Sequence, residues 1–475
     1  MYQRNITHIL TPIGLVLALL FGYHLILKPS IAPAPLPTDT KPNETVGAAA
    51  PPPPPPGTSP RKEAIAQVRA LDQSAIPDTP QESLLEAIRD KIEERNLPLA
   101  ETKLEALPPA LLSNETARPF VAILWNNLGL QQEQLHGTAV SVKAFRKAAA
   151  LDDSNPVILM NLAHAYWEQR DRALNGDLLD KLMTLAPDEP FPHLAMADLL
   201  QEQDRLGEAA NHLDRAAARA RQDPALQSYL IAVTAKVRRT ESAEARMTAR
   251  STAHFLVKFD GTEDPDTWIT VLEILEEAYR EIGQKVGYFP SKPITVVLHT
   301  KEAFQSTTGS PTWADALYDP TLGRIQLPTN GATTESKWLA AVLRHEYVHA
   351  LLHERQGMNS SALPTWLNEG LAMQLAGDAW PELDQATSGE VRIMPLNYLE
   401  GPWGSLPTNT ATLAYLEANS ATRYLIERWG MARVVELLNA FKARQSVAAA
   451  IQDKLFVSYE QFHRQWLDRF EKHRT

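Results

Sequence analysis

Cysteine is absent from the chain of 475 residues, and so is any block of like charge. The first absence excludes disulfides, cysteine metal sites and a cysteine nucleophile. The second excludes the clustered Lys and Arg on which general nucleic-acid binders depend, and the net charge is −11, so we expect no nucleic-acid partner. Apolar residues make up 44% of the chain, and its length exceeds one ordinary core, which predicts two or three globular domains.

Charge is also missing near the N-terminus, from Asn5 to Leu27. We interpret 6–27 as a transmembrane signal-anchor helix, because at about 1.5 Å per residue it spans the roughly 30 Å hydrocarbon core of a membrane. Residues 1–5 carry Arg4 and the amino terminus, whose positive charge favours a short cytoplasmic N-terminus. The alternative is a cleaved signal peptide, whose apolar region usually has only about 7–15 residues. This interpretation predicts a single-pass inner-membrane protein with its soluble domains in the periplasm.

Proline is concentrated directly behind this segment. Residues 29–60 hold 12 of the chain's 35 prolines, including the run from Pro51 to Pro56. Such a composition favours polyproline II and cannot bury a core. We therefore predict a disordered linker over 28–60 that holds the folded part away from the membrane.

Prolines recur at a fixed spacing further along, since Pro156, Pro190 and Pro224 are separated by 34 residues each. They close the similar phrases "AFRKAAALDDSNP", "LLDKLMTLAPDEP" and "HLDRAAARARQDP". The region 119–249 thereby resembles the tetratricopeptide repeat, in which small residues let paired helices pack and proline ends the second helix. The resemblance implies an all-α solenoid of helical hairpins that often binds a protein partner, with a purely structural arm as the alternative. Residues 61–118 are helical in pattern and are predicted to form a degenerate earlier repeat.

The region 250–475 has a different pattern, with strand-like runs first and helices afterwards. The runs "HFLVKFD" (254–260) and "ITVVLHT" (294–300) read as strands. The run "LGRIQL" (322–327) alternates and stops at Pro328, which suits an edge strand that could pair with an extended substrate. This order of elements predicts an α+β domain.

The stretch "RHEYVHALLHER" (344–355) lies in the first long helix of that domain. His345 and His349 are four residues apart, so both rings can point at one ion, and the same holds for His349 and His353. Only the first pair has a glutamate, Glu346, directly after its first histidine, which is the H-E-x-x-H arrangement of zinc peptidases. The alternative is a pair of core histidines, but buried imidazoles are costly unless hydrogen-bonded or bound to metal.

A catalytic zinc usually has three protein ligands and one open position. A metzincin would place a third histidine six residues after His349, where this chain has Arg355, so that class is excluded. Glu369 is the candidate, because neighbours such as Trp366 mark a buried side of a new helix. Glu354 is the rival, but it lies on the histidine helix itself, beyond His349 and turned away.

Two stretches, "HEYVHALL" and the later "LPTWLNEGLAMQLAG", together resemble the gluzincin metallopeptidases, and more closely the bacterial peptidase MA-like domains. The resemblance covers roughly 250–475 and implies a zincin-like fold that hydrolyses peptide bonds. In that family two histidines and a downstream glutamate bind one Zn²⁺ ion, and the glutamate after the first histidine is the catalytic base. Here the metal ligands would be His345, His349 and Glu369, and the base would be Glu346.

The stretch "AYLEANSATRYLIERWG" (414–430) also resembles a helix of that family. Gluzincins often use Tyr or His to stabilise the oxyanion, and Tyr415 is the candidate, ahead of Tyr424 and Tyr318. Met373 stands where thermolysin-like enzymes have an acid that orients a histidine, so that group is left open. The resulting hypothesis is a membrane-anchored zinc metallopeptidase for protein or peptide substrates, whose repeats bind substrate or partner. The alternative is a repeat scaffold or assembly protein with an inactive zincin-like domain.

Overall fold

The computed structural model describes residues 68–259, 265–308, 316–328, 336–377, 393–403 and 406–474, together with Leu383. The predicted membrane helix and the predicted proline-rich linker both lie outside these residues. Among the helices that are described, none is both long and apolar enough to cross a membrane. The described chain is mostly helical, with one small mixed sheet in its C-terminal part, and the prediction of helices first and an α+β region afterwards is confirmed at that level.

The N-terminal part is a series of helices, which we call the arm. Its helices are α1 Glu82–Glu93, α2 Leu97–Glu105, α3 Pro109–Leu112, α4 Ala117–His136, α5 Thr138–Leu151, α6 Pro156–Gln169, α7 Gly176–Leu185, α8 Phe191–Glu202, α9 Leu206–Arg219 and α10 Pro224–Glu244. Neighbouring helices pack together, as α4 with α5 and α9 with α10 do. Buried alanines such as Ala144 and Ala209 leave room for this close packing.

The recurring prolines mark where helices begin. Pro156 and Pro224 are the first residues of α6 and α10, and Pro190 directly precedes α8. A proline fits there because the first N–H groups of a helix have no partner inside the helix. The side chains of Asn155 and Asp223 accept the following N–H groups and so cap α6 and α10.

One segment of the arm differs from its prediction. The sequence pattern favours helix over 61–118, but described residues 68–78 contain neither helix nor strand. Pro77 and Pro80 restrict the backbone in front of α1, and the main chain before them bonds to side chains of the arm instead of to itself.

The described strands form one sheet in the order β1-β2-β3-β5-β4. They are β1 Thr248–Ser251, β2 Phe255–Phe259, β3 Ile294–His299, β4 Leu317–Asp319 and β5 Arg324–Pro328. The strands β2, β3 and β5 are parallel, while β1 and β4 pair antiparallel at the two ends. Every residue of β3 and β5 is buried, as expected for strands covered on both faces.

The prediction that 322–327 forms an edge strand was wrong. The strand β5 lies between β3 and β4, and the edge is β4, a three-residue strand with no clear sequence signal. Pro328 is tolerated because it is the last residue of β5, where the ladder ends.

The helices of the C-terminal part are α11 Pro265–Val286, α12 Lys301–Thr308, α13 Ser336–Gln356, α14 Thr365–Ala376, α15 Thr408–Lys442, α16 Val447–Leu455 and α17 Tyr459–Arg474. The helix α15 is interrupted at Gly430, whose φ of 81° is left-handed. One hydrophobic core joins the sheet to α11, α13, α14 and α15.

A buried cluster of four charges fastens the arm to the sheet. Arg324 of β5 is fully buried and lies 2.6 Å from the Glu244 carboxylate at the end of α10. Asp204 of the arm lies 3.4 Å from Arg324 and 2.5 Å from Lys258 of β2, and Lys258 also contacts Glu244 at 2.8 Å. The two cations and two carboxylates balance, which buried charges require.

Replacing Glu244 by Gln should destabilise the protein, because Arg324 and Lys258 would keep only one carboxylate between them. Removal of one partner from a buried ion pair costs about 3–5 kcal/mol in the free energy of unfolding, which urea titration followed by tryptophan fluorescence can measure. Glu208→Gln is the control, since the Arg205–Glu208 pair is exposed and its loss should leave the transition unchanged. Equal midpoints for the two variants would contradict the role given to the buried cluster.

Candidate metal centre

Helix α13 places two histidines on the side opposite its core contacts. Leu343, Tyr347 and Leu351 are fully buried and recur every four residues, which defines the stripe that packs on the sheet. The ring of Tyr347, for example, meets Phe255 of β2 at 5.8 Å between centroids. His345 lies two residues off this stripe, so its ring is directed away from the sheet and toward α14.

Helix α14 supplies the third group. It begins at Thr365 after Pro364, as its sequence predicts, and carries Glu369 in its second turn. Glu369 Oε2 lies 3.6 Å from His345 Nε2 and 3.4 Å from His349 Nε2, and the two Nε2 atoms are 3.1 Å apart. The three side chains are only 12–16% exposed. The structure therefore brings together the three residues that the sequence singles out as ligands.

These distances fit a zinc ion. Bonds of about 2.0–2.1 Å to nitrogen and oxygen at tetrahedral angles place neighbouring ligand atoms about 3.3 Å apart. The three observed separations lie close to that value, and two imidazoles with one carboxylate are a common donor set for catalytic zinc. Within the described residues, this is the single cluster of three or more His, Asp or Glu side chains with such spacing.

The charges of the centre also favour a cation. Burial lowers the pKa of His349, but the Glu369 carboxylate outweighs that effect and raises the pKa to about 9. Burial in turn raises the pKa of Glu369, yet the adjacent His349 and His345 hold it well below its usual range. The carboxylate therefore stays ionised and attracts positive charge to the point between the three side chains.

Asn368 orients one of the histidines, a role that the sequence leaves open. His349 Nδ1 lies 3.3 Å from Asn368 Oδ1, and an amide oxygen can only accept a hydrogen bond. In the neutral form of the ring, which a metal ligand requires, the remaining proton therefore sits on Nδ1, and the lone pair of Nε2 faces His345 and Glu369. Met373, at the position where thermolysin-like enzymes have an orienting acid, is buried in the core. The sequence around Asn368 does not mark this role, because the role depends on how α14 packs against α13.

Glu346 is buried beside the three ligands. The backbone N–H of Tyr318 in β4 faces its carboxylate. Burial raises the pKa of Glu346, although the neighbouring His349 and His345 act in the opposite direction. The edge strand thus lies beside the proposed base and presents a main-chain group that sequence reasoning missed.

The three tyrosine candidates have different positions. The pKa of Tyr415 is raised well above its usual value. The nearby Glu369 carboxylate is the largest cause, followed by burial and by the Glu346 carboxylate. Tyr424 instead directs its hydroxyl to Gln465, 3.4 Å away. Tyr318 reaches Glu346 through its backbone N–H. The geometry thus favours Tyr415 as the hydroxyl group of the centre.

The rival residues of the same helix face other partners. His353 Nε2 lies 2.5 Å from Arg170 Nη2 of the arm, and its ring packs beside that of Tyr318, with 5.4 Å between centroids. Glu354 Oε1 accepts the backbone N–H of Ser291 at 2.9 Å. Neither side chain belongs to the three-residue cluster.

The C-terminal part of the chain is similar to one known protein family. Residues 276–469 match the family model described as Peptidase MA superfamily, and this range contains all four residues of the H-E-x-x-H and glutamate set. Residues 276–469 in the C-terminal part of the chain are therefore similar to a Peptidase MA superfamily domain. The match begins within α11, so β1 and β2 precede it. None of the curated proteins compared with the chain matches it.

Replacing Asn368 by Ala should weaken zinc binding by about 10–100-fold, because His349 loses the bond that fixes its ring and tautomer. Competition against a chelator of known affinity measures this change. Gln374→Ala is the matched control on the same helix, since Gln374 donates to Asn419 rather than to a ligand. Unaltered zinc affinity in Asn368→Ala would show that Asn368 has no part in the centre.

Proposed function

We propose that the protein is a zinc-dependent peptidase that hydrolyses peptide bonds of protein or peptide substrates. One observation carries this proposal: Glu369, His345 and His349 present three ligand atoms at tetrahedral spacing, with the buried Glu346 carboxylate beside them. The Peptidase MA superfamily match over the same residues supports it. Zinc, when bound there, supplies a Lewis acid that polarises a carbonyl group and makes water more acidic.

Glu346 is the proposed general base. Its carboxylate takes a proton from the attacking water as the water oxygen bonds to the scissile carbonyl carbon. The same carboxyl then passes that proton to the leaving amide nitrogen as the carbon–nitrogen bond breaks. Burial raises the pKa of Glu346, which makes its carboxylate a better proton acceptor.

Tyr415 is the proposed oxyanion donor. A hydrogen bond from its hydroxyl would stabilise the negative oxygen that develops during attack. The two nearby carboxylates and burial raise its pKa, so the hydroxyl keeps its proton at neutral pH.

The same proposal covers the role of the arm and of the N-terminal segment. The arm consists of tetratricopeptide repeats that recruit a substrate or partner protein, and two features support this. Helix starts recur at the 34-residue spacing of Pro156, Pro190 and Pro224, and small buried residues lie between paired helices. The segment 6–27 anchors the protein in the inner membrane, with the folded part in the periplasm.

Substituting Glu346 by Gln should abolish cleavage of unfolded casein while zinc content stays at the wild-type level. The amide keeps the shape of the side chain but cannot accept a proton, and loss of a general base lowers the rate by about 10²–10⁴-fold. Zinc analysis and a protease assay on the same sample measure both quantities. Glu354→Gln, on the same helix but bonded to Ser291, should retain activity.

Two results would contradict this mechanism. One is full proteolysis by Glu346→Gln. The other is wild-type proteolysis that persists after a chelator has removed the metal. A chain that binds no zinc and cleaves nothing would favour the scaffold alternative.

Replacing Tyr415 by Phe should lower kcat by about 10²-fold with little change in KM, because an oxyanion donor acts mainly in the transition state. Steady-state kinetics on a fluorogenic peptide substrate measure both constants. Tyr424→Phe is the control, since that hydroxyl bonds to Gln465, away from the centre. Equal kcat values for the two variants would remove Tyr415 from the mechanism.

A further inference from the structure

Residues 68–73 lie in an extended conformation against α4 and α6 of the arm. The contact is made by three asparagines, Asn126 and Asn127 of α4 and Asn161 of α6, which are 0–6% exposed. Each asparagine amide bonds to main-chain groups of the extended segment. We call this surface the asparagine groove.

The bonds follow the spacing of a β-strand. Asn161 Oδ1 accepts the N–H of Arg69 at 2.9 Å, and Asn161 Nδ2 donates to the carbonyl of the same residue at 2.8 Å. Two residues on, Asn127 Oδ1 accepts the N–H of Leu71 at 2.9 Å and Asn127 Nδ2 donates to its carbonyl at 2.7 Å. Alternate residues along an extended chain present their N–H and C=O groups on the same side, so the two asparagines act as a neighbouring strand would.

Asn126 completes the groove. Its Nδ2 donates to the carbonyl of Arg69 at 3.2 Å, and its Oδ1 accepts from Asn161 Nδ2 at 2.8 Å. Buried amides are costly without partners, and helix packing alone would be served by alanine or leucine at these positions. The three asparagines are therefore explained by the extended main chain that they bind.

Side chains of the segment add a modest preference. Val68 packs against a small apolar cluster that includes Phe145, Leu162 and Tyr166. Arg69 Nη1 lies 2.8 Å from Glu189 across the groove, in a partly exposed ion pair. The groove thus binds mainly the backbone of the segment. Its preferred side chains are an aliphatic residue followed by a cationic one.

We propose that the asparagine groove is a binding site for an extended peptide, and that residues 68–73 are its built-in, displaceable occupant. Main-chain groups make the principal bonds, so an extended segment of another protein can make the same bonds. The cis segment competes at the high effective concentration that covalent linkage provides. A partner with an aliphatic–cationic pair therefore binds the arm only when it displaces the chain's own segment. This proposal does not depend on the peptidase activity.

The test measures binding of a fluorescent peptide to the full chain in detergent. The probe has the sequence of residues 66–77, AQVRALDQSAIP. Leu71→Pro in the chain removes the N–H that Asn127 accepts, and Val68→Asp removes the apolar contact without altering the backbone. Both substitutions should weaken the cis segment, so either variant should bind the probe at least about tenfold more tightly than the wild type.

A second pair of variants tests the groove itself. In the Leu71→Pro chain, Asn127→Ala with Asn161→Ala should abolish probe binding, whereas Asn211→Ala, at an exposed position of α9, should not. A probe with proline in place of its leucine should fail to bind any of these chains. Circular dichroism verifies that the substituted chains keep their helices.

Each alternative outcome overturns part of the proposal. Wild-type affinity equal to that of both Leu71→Pro and Val68→Asp would show that the cis segment does not occupy the site. No binding to either variant, or equal binding after the asparagine substitutions, would show that the groove is not a peptide site. Protease activity plays no part in these measurements.

Discussion

The electrostatic contact between Glu369 and the two histidines of α13 is the feature on which the rest of the C-terminal part depends. A buried carboxylate is costly unless it has polar partners, and here both imidazole rings lie within 3.6 Å of it. The contact requires α14 to lie directly against α13. Gly370 makes a second close approach possible, because a Cβ there would lie 2.5 Å from the carbonyl oxygen of Ala418 in α15. The backbone of three helices is thus arranged around one small cluster of side chains.

The arm is joined to this centre by direct contacts. Arg170, at the end of α6, lies against His353, which is one turn beyond His349 on the same helix. Glu168 of α6 binds Arg444 beyond α15, with its oxygens 2.7 and 2.8 Å from one guanidinium nitrogen. The asparagine groove and the candidate metal centre therefore belong to one continuously packed structure. Arg170, His353 and Tyr318 form a chain of contacts from the arm to the strand that lies beside Glu346.

The sequence predicted those features that depend on local spacing. Histidines four residues apart on a helix must share a face, so His345 and His349 could be paired without a structure. Glu369 lies on a different helix, and sequence could only rank it above Glu354 by its apolar neighbours. Asn368 and the Tyr318 N–H were beyond reach, because their roles depend on how α14 and β4 pack against α13. The prediction of an edge strand at 322–327 failed for the same reason, since the three residues of β4 are too few to carry a pattern. The helical pattern of 61–118 did not predict the extended segment within 68–78, because the partners of that segment lie far along the chain and leave no local signal.

The most direct test of the account is the zinc X-ray absorption spectrum of the purified full chain, recorded with its zinc content. We expect one zinc per chain, with scattering from two imidazoles and from oxygen at about 2.0–2.1 Å. We also expect His349→Ala to lose the metal, because that residue supplies one of the three ligand atoms. Zinc far below one per chain, or a spectrum without imidazole scattering, would contradict the assignment of His345, His349 and Glu369 as a metal centre.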